Sequence, residues 1–239
     1  MYRSNPRQLA FDDAIYDWLF LKLSPHGSWL DAGCGSGEHA IRLAKRVDRL
    51  SAIDLSADIL EVAKQAAVRA GVQNRVEFSQ GSLEDLSPAL SAENVHCRGV
   101  MMHIPDWHTV LLNLCRNVKP GGHLVLFEGN QSSLEVLFVR LVRKFIKTKS
   151  RMDFTEGGIE FWSEVNGEPF LFRAANLAKV EEVLRAQGIV PLFRQSTFVI
   201  DLNRLPAALQ GIGITLNQIW FHLNLPMASG VLLVGRRNP

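Results

Sequence analysis

The chain has 239 residues, 47% hydrophobic and 21% charged, enough apolar material for a packed core and too little charge for wholesale disorder. With 26 basic and 24 acidic residues the net charge is +2, which neither demands a nucleic-acid partner nor excludes one, so any basic patch is local. Three cysteines, Cys34, Cys97 and Cys115, without a CxxC pair, argue against a disulfide framework and suit a reducing compartment. The first twenty residues carry acids and no long apolar run, which excludes a signal peptide, and no stretch approaches the ~20 apolar residues of a spanning helix. A cytoplasmic protein with no membrane partner is expected.

In chain order, residues 8–23 read as an amphipathic helix, with Leu9, Ile15, Leu19 and Leu23 near helical spacing and Pro25 and Gly27 as stops. Residues 28–32 read as a strand running into a glycine turn, and residues 38–47 as the helix after it. A second strand is expected over 50–55, then a helix over 57–70 with Ser56 as N-cap and Gly71 as C-terminal stop. Strands over 75–80 and within 93–102 follow, the latter a poor apolar run because of Asn94 and His96. A helix over 106–118, a Pro120-Gly121-Gly122 turn and a fifth strand over 123–129 complete an alternating pattern, the signature of a parallel sheet with crossover helices.

The order then changes. Residues 132–147 form a helical pattern, and 159–173 a hairpin about Asn166-Gly167, the preferred type I′ dipeptide. A helix over 175–188 is ended by Gly188. Strands over 190–200 and 229–237 flank a last helix near 205–222. The whole reads as one domain, residues 1–239, with 1–25 as an N-terminal helical cap and 131–173 as a lid.

Gly33, Gly35 and Gly37 fall within five positions after the first strand, a turn that resembles a phosphate loop. The spacing departs from GxGxxG: Glu38 stands where the last glycine is needed, and no lysine follows to make a GxxxxGK[ST] loop. Asp31, just ahead of the turn, would repel a close pyrophosphate charge by roughly 4 kcal/mol. The same carboxylate attracts a cationic amine. The loop therefore suits a nucleoside without phosphates that carries a positive group. Asp54 ends the second strand, where its two oxygens can accept both hydroxyls of a ribose; alternatively it is an N-terminal acid for the next helix.

With these pieces the chain resembles the class I S-adenosylmethionine-dependent methyltransferases, through "LDAGCGSG", "AIDLSADILEVA", "GSLEDL", "CRGVMMHIPD" and "VKPGGHLVLFEG", in family order across residues 29–129. The resemblance implies a Rossmann-like, doubly wound α/β sheet of seven strands, mostly parallel with the last antiparallel, and S-adenosylmethionine as cofactor. It places Asp31 and the turn of Gly33, Gly35 and Gly37 against the methionine part, Asp54 on the ribose and Leu55 against the adenine. Ser82 and Leu83 fall at the adenine edge, and the backbone near Cys97 reaches the methionine amine. Ser82 stands where members often carry Asp, and Glu93 reads as the replacement for the acid usual at the start of the fourth strand. Arg98, beside the expected cofactor tail, reads either as a binder of the methionine carboxylate or an anionic substrate, or as a surface ion pair.

Methyl transfer from a sulfonium needs alignment and exclusion of water, and a base only where the acceptor is protonated. His103 is the candidate catalytic residue, with a structural turn as its alternative; His108 and Glu128 are weaker candidates. No histidine or cysteine pairing suggests a metal site. The 132–147 pattern places Leu134, Leu137, Phe138, Leu141, Val142 and Phe145 on one face, and Arg140, Arg143, Lys144 and Lys147 on the other. Ser132 and Glu135 read as a capping box, and Lys149 and Arg151 extend the charge. A solvated cationic face is the simplest reading; recognition of an anion is the alternative. The expected acceptor is a small molecule, anionic on the second reading of the cationic face, methylated at oxygen, nitrogen or a carboxyl group. A tRNA wobble-uridine methyltransferase and an inactive cofactor-binding subunit are the alternatives.

Overall fold

The computed structural model describes residues 5–146 and 151–239; Lys147 and Lys149 of the cationic pattern lie outside them. In chain order the elements are α1 (Pro6–Leu23), β1 (Trp29–Ala32), α2 (Glu38–Ala44), β2 (Leu50–Asp54), α3 (Ala57–Arg69), β3 (Val76–Gln80) and β4 (Ala92–Arg98). There follow α4 (Trp107–Asn117), β5 (Val118–Gly129), α5 (Leu134–Val142), β6 (Arg151–Thr155), β7 (Gly158–Val165) and β8 (Glu168–Ala175). The chain closes with α6 (Leu177–Ala186), β9 (Ile189–Phe198), α7 (Gln210–Leu223) and β10 (Gly230–Arg237). Seven strands form one sheet in the order β3-β2-β1-β4-β5-β10-β9, mostly parallel with the last strands antiparallel, as the sequence implies. β6, β7 and β8 form a second, antiparallel sheet. The residues divide into two compact units.

The first unit comprises Ser24–Phe127, Ala178–Phe193 and Leu233–Pro239. All four residues of β1 are buried, as a strand covered on both faces requires. Asn94 and His96, the polar interruptions of β4, are buried with it, and each has a partner. Asn94 Nδ2 donates to the His26 carbonyl (2.7 Å), and its Oδ1 shares a hydrogen bond with His123 Nδ1 (3.0 Å). Ser56 caps α3 as read, accepting from Ile59 N–H at 3.3 Å, and Gly71 after the helix has φ 69°. Asp106 caps α4 through Thr109 N–H (3.1 Å). The Arg237 guanidinium donates to the carbonyls of Cys115, Arg116 and Val118, covering the negative end of that helix. The fourth strand fills only part of the stretch read for it, and one boundary differs from the sequence reading. β4 stops at Arg98, and Met101–His103 is a 3-10 turn. Pro120-Gly121-Gly122 does not precede the fifth strand but interrupts it, with Ala92 opposite Val118 and Asn94 already opposite His123.

The second unit comprises the chain up to Leu23, Glu128–Leu177 and Arg194–Leu232. The hairpin turn is as expected: Asn166 (φ 53°) and Gly167 (φ 84°) join β7 to β8. β6 is a correction. Arg151 does not extend a helical charge run; it opens a strand paired with β7 through Arg151–Trp162 to Thr155–Gly158. α5 is shorter than its pattern and ends at Val142. Its N-cap is Ser133, which accepts from Val136 N–H (3.2 Å), so Ser132 and Glu135 do not form a capping box; Glu135 is ion-paired with Arg204. Only Val136 of this helix is buried, against Ile159 and Ala174 with Met152, Phe161 and Phe172 around them.

Arg173 is 2% exposed and donates through Nε (3.1 Å) and Nη2 (2.9 Å) to Glu160 Oε1. Glu128 is also buried; burial pushes its carboxyl up to about 8, with Arg173 opposing the shift. Two expectations follow. Arg173→Leu should lower the unfolding free energy in urea by about 3 kcal/mol, because it strands the Glu160 charge. Since the folded pKa of Glu128 is raised, the folded state holds a proton the unfolded chain releases, and stability falls as pH rises from the ordinary carboxylate range towards 8. Glu128→Gln should flatten that slope; an unchanged slope in pH-dependent urea melts would remove Glu128 as its source.

Candidate functional site

The carboxyl ends of β1, β2 and β4 carry the groups the sequence singles out, all within the first unit. β1 ends at Asp31-Ala32 and the chain turns sharply, with φ of 79°, 52° and 83° at Gly33, Gly35 and Gly37. The three glycines are needed for different reasons. A side chain at Gly33 would run into Val100, and one at Gly37 into Ala63 of α3 at 3.0 Å. Gly35 has nothing within 4 Å of where a Cβ would stand, so its backbone is open to an incoming ligand. Gly33 and Cys34 both donate to the Ile53 carbonyl (2.8 and 2.9 Å), which sews the turn to the end of β2.

Asp54 completes that seam. Its Oδ2 accepts from Gly35 N–H (2.8 Å), and its Oδ1 from Ser56 N–H (3.1 Å). The carboxylate is partly exposed and keeps further lone pairs for a ligand's hydroxyls. Leu55, the next residue, is 69% exposed, an apolar side chain able to lie against a flat ring. The Ser82 hydroxyl accepts from Glu84 N–H (3.1 Å), and Leu83 is buried. Asn113 of α4 fixes this corner by donating to the carbonyls of Leu83 (3.0 Å) and Glu84 (2.8 Å), a role the sequence alone does not disclose.

Beneath the turn lies a buried polar cluster. Asp31 is 1% exposed, and its Oδ1 is 2.7 Å from Nδ1 of the fully buried His96. The two residues sit opposite each other in adjacent parallel strands. Asp31 Oδ2 is equally buried and has no hydrogen-bond partner. The His96 ring stands 5.5 Å from Phe127 and 6.4 Å from His39. The Arg98 guanidinium lies 4.6 Å over the Phe127 ring. Burial holds the His39 imidazole neutral, its pKa well below the ordinary range, with Arg98, His96 and Arg42 adding to the effect. Cys97 is fully buried in β4, opposite Leu126. The same acids push the buried Cys34 thiol upward after desolvation, Asp31 before Asp54, so it is inert as a nucleophile.

Other sequence candidates lie elsewhere or do other work. His103 and His108 are exposed, on the turn after β4 and on the first turn of α4. Glu93 is a brace: it accepts from the Ser28 N–H (2.8 Å) and hydroxyl and pairs with Lys119 (2.9 Å), and these bonds hold its carboxyl down to about 2. Sequence alone does not give His39 or His96 a role in the site. The available signal was a histidine in a strand that should read as an apolar run.

Removing His96 tests the cluster's hold on Asp31. His96→Phe should cost about 2–3 kcal/mol of stability in chemical denaturation, because the carboxylate then loses its hydrogen bond to His96 and both oxygens are left without a donor. His96→Asn, which can still donate, should restore part of that; equal losses in the two would mean that the hydrogen bond is not what matters.

Comparison with known proteins agrees with this geometry. Residues 30–122 match the model of a family described as a methyltransferase domain. The ubiquinone biosynthesis O-methyltransferase of Xanthomonas axonopodis pv. citri is 33% identical over 127 residues, 52% of each chain. That of Pectobacterium atrosepticum is 30% identical over 135 residues, 56% of this chain and 53% of the relative. The chain thus spans about half the length of the curated relatives it matches. Among solved structures, a Methanosarcina mazei S-adenosylmethionine-dependent methyltransferase superposes with a TM-score of 0.68 at 18% identity, covering 93% of this chain and 98% of the other. Magnesium protoporphyrin IX methyltransferase from Synechocystis PCC 6803, solved with bound S-adenosylhomocysteine, gives 0.64 at 16% identity, with 97% and 84% covered. No helix among the described residues is long and apolar enough to cross a membrane, and none of them form a cluster of metal-ligating side chains.

Proposed function

We infer that this chain, a member of the class I S-adenosylmethionine-dependent methyltransferases, transfers the methyl group of that cofactor to a small-molecule acceptor, with a hydroxyl oxygen favoured over nitrogen or carboxyl. The observation that carries the reading is Asp31: one carboxylate oxygen is fixed by His96, and the other is buried without a donor. A buried charge in that state is costly unless a cation arrives to satisfy it. The ammonium of a methionine tail supplies that charge, whereas a pyrophosphate would worsen the imbalance. The preference for oxygen rests on the relatives named as O-methyltransferases.

In this reading Asp31 holds the amine, and Arg98 the carboxylate of the same tail. The open backbone at Gly35 lets the tail approach, and Gly33 and Gly37 keep the turn tight enough to allow it. Asp54 accepts the ribose hydroxyls, Leu55 covers one face of the adenine, and Ser82 and Leu83 border its edge. The bound cofactor supplies an activated methyl group, so the chain's own task is alignment and exclusion of water. His103, exposed directly after β4, is assigned to take up the proton of a hydroxyl acceptor.

Calorimetry with S-adenosylhomocysteine tests the assignment. Asp54→Ala should weaken binding by about 1–3 kcal/mol, from lost charged hydrogen bonds. Asp31→Asn keeps the volume and can still pair with His96, yet should also weaken binding because the amine loses its counter-charge. Unchanged affinity in both variants, or tighter binding of a dinucleotide than of the homocysteine ligand, would overturn the reading. His103→Gln should lower kcat towards a hydroxyl acceptor while leaving ligand affinity alone; equal turnover in variant and parent would take His103 out of the chemistry.

A further inference from the structure

The corner assigned to the base of the cofactor offers few polar side chains, and the chain uses most of them for itself. Leu55 and Leu83 contribute apolar surface, the first exposed and the second buried. The Asn113 amide is spent on the carbonyls of Leu83 (3.0 Å) and Glu84 (2.8 Å). Gln80 donates through Nε2 to the Leu55 carbonyl (3.0 Å), and Gly81 N–H to the Asp54 carbonyl (3.0 Å), which ties the end of β3 to the end of β2.

Ser82 is different. It is half-buried, and its Oγ accepts from Glu84 N–H at 3.1 Å, which fixes the oxygen but not the hydroxyl proton. The group keeps its O–H and a second lone pair, so by turning about the Cβ–Oγ bond it either donates or accepts. A carboxylate in the same place would only accept. The other side-chain acceptors of residues 80–85, on Gln80, Glu84 and Asp85, are exposed, where water competes for them.

We propose that the base end of this site does not read the substituent at position 6 of the purine, so that the chain binds an inosyl, 6-oxopurine form of the cofactor as well as the adenosyl form, with Ser82 as the residue that sets this tolerance. The inference rests on the cofactor assignment above. Adenine presents an amine donor at position 6 and an acceptor at N1. A 6-oxopurine presents the reverse, a carbonyl acceptor and an N1–H donor. A site with a fixed, desolvated acceptor at that edge rejects the second base by roughly ten- to a hundredfold, because two acceptors then face each other. Ser82 meets either base by turning one O–H bond, and Leu55 and Leu83 touch ring surface that the two bases share. The contacts assigned to Asp54 and Asp31 lie on the ribose and the amine, which are the same in both ligands.

The test is calorimetry of the full chain with S-adenosylhomocysteine and with S-inosylhomocysteine. The two dissociation constants are expected to lie within about tenfold of each other. Ser82→Asp should separate them. The new carboxylate can still accept from Glu84 N–H, which keeps the turn, but it accepts from an amine and repels a carbonyl oxygen, so the preference for the adenosyl ligand should rise by at least about tenfold over the parent's. The readout is the ratio of two affinities in one protein, which a general loosening of the fold does not move. If the variant fails to fold, the parent's ratio alone decides. A parent that prefers the adenosyl ligand by more than about tenfold overturns the inference and leaves the cofactor assignment standing. An unchanged ratio in Ser82→Asp also overturns it, because Ser82 then does not set the tolerance. Binding of neither ligand overturns the cofactor assignment, and this inference falls with it.

Discussion

The site depends on one buried electrostatic arrangement, the Asp31 carboxylate held between β1 and β4 by His96. A charged carboxylate at the centre of a parallel sheet is among the least favourable groups a fold can accommodate, and one hydrogen bond satisfies only one of its oxygens. For stability alone an apolar residue would serve better there. An expensive charge with a free oxygen, at the carboxyl end of a strand and under a turn whose backbone is open, is the mark of a group kept for a ligand. Arg98 and the neutral His39 belong to the same setting: one is the cation proposed for the carboxylate of the cofactor's tail, and the other adds no further charge.

The surrounding turn works by division of labour. Gly33 and Gly37 are there because Val100 and Ala63 leave no room, while Gly35, with φ 52° and nothing within 4 Å, leaves the backbone open on the side proposed for the ligand. Asp54 links the turn to its proposed task. By accepting the Gly35 and Ser56 amides it fixes the loop and the entry to α3, so the carboxylate assigned to the ribose is oriented before any ligand arrives. The two readings left open for Asp54, ligand acceptor and helix-start acid, are therefore compatible: the backbone bonds use only part of its acceptor capacity.

Much of this was legible in the residues because it rests on local rules. Glycine spacing, the Ser56 cap, the Asn166-Gly167 turn and the alternation of strands and helices each follow from conformational preferences of a few neighbouring residues. What escaped depends on contacts far apart in sequence. Nothing local pairs His96 with Asp31, or aims Asn113 at the carbonyls of Leu83 and Glu84. Serines at 132 and 133 offer two possible caps, and only the path of the chain selects Ser133. β6 was hidden because its five residues alternate weakly and follow a cationic run that reads equally well as helix.

α5 shows the limit of periodicity most clearly. A 3.6-residue apolar repeat establishes that a helix has two unlike faces; it does not say which of them the protein covers. The default inference, apolar side inward, assumes that water is the only alternative environment. Here the small core of β7 and β8 accepts Val136 alone, and the larger side chains remain outside with the cations beside them. Leaving several large apolar side chains partly in water forfeits a share, set by each one's exposure, of the about 1.5–3 kcal/mol that full burial contributes.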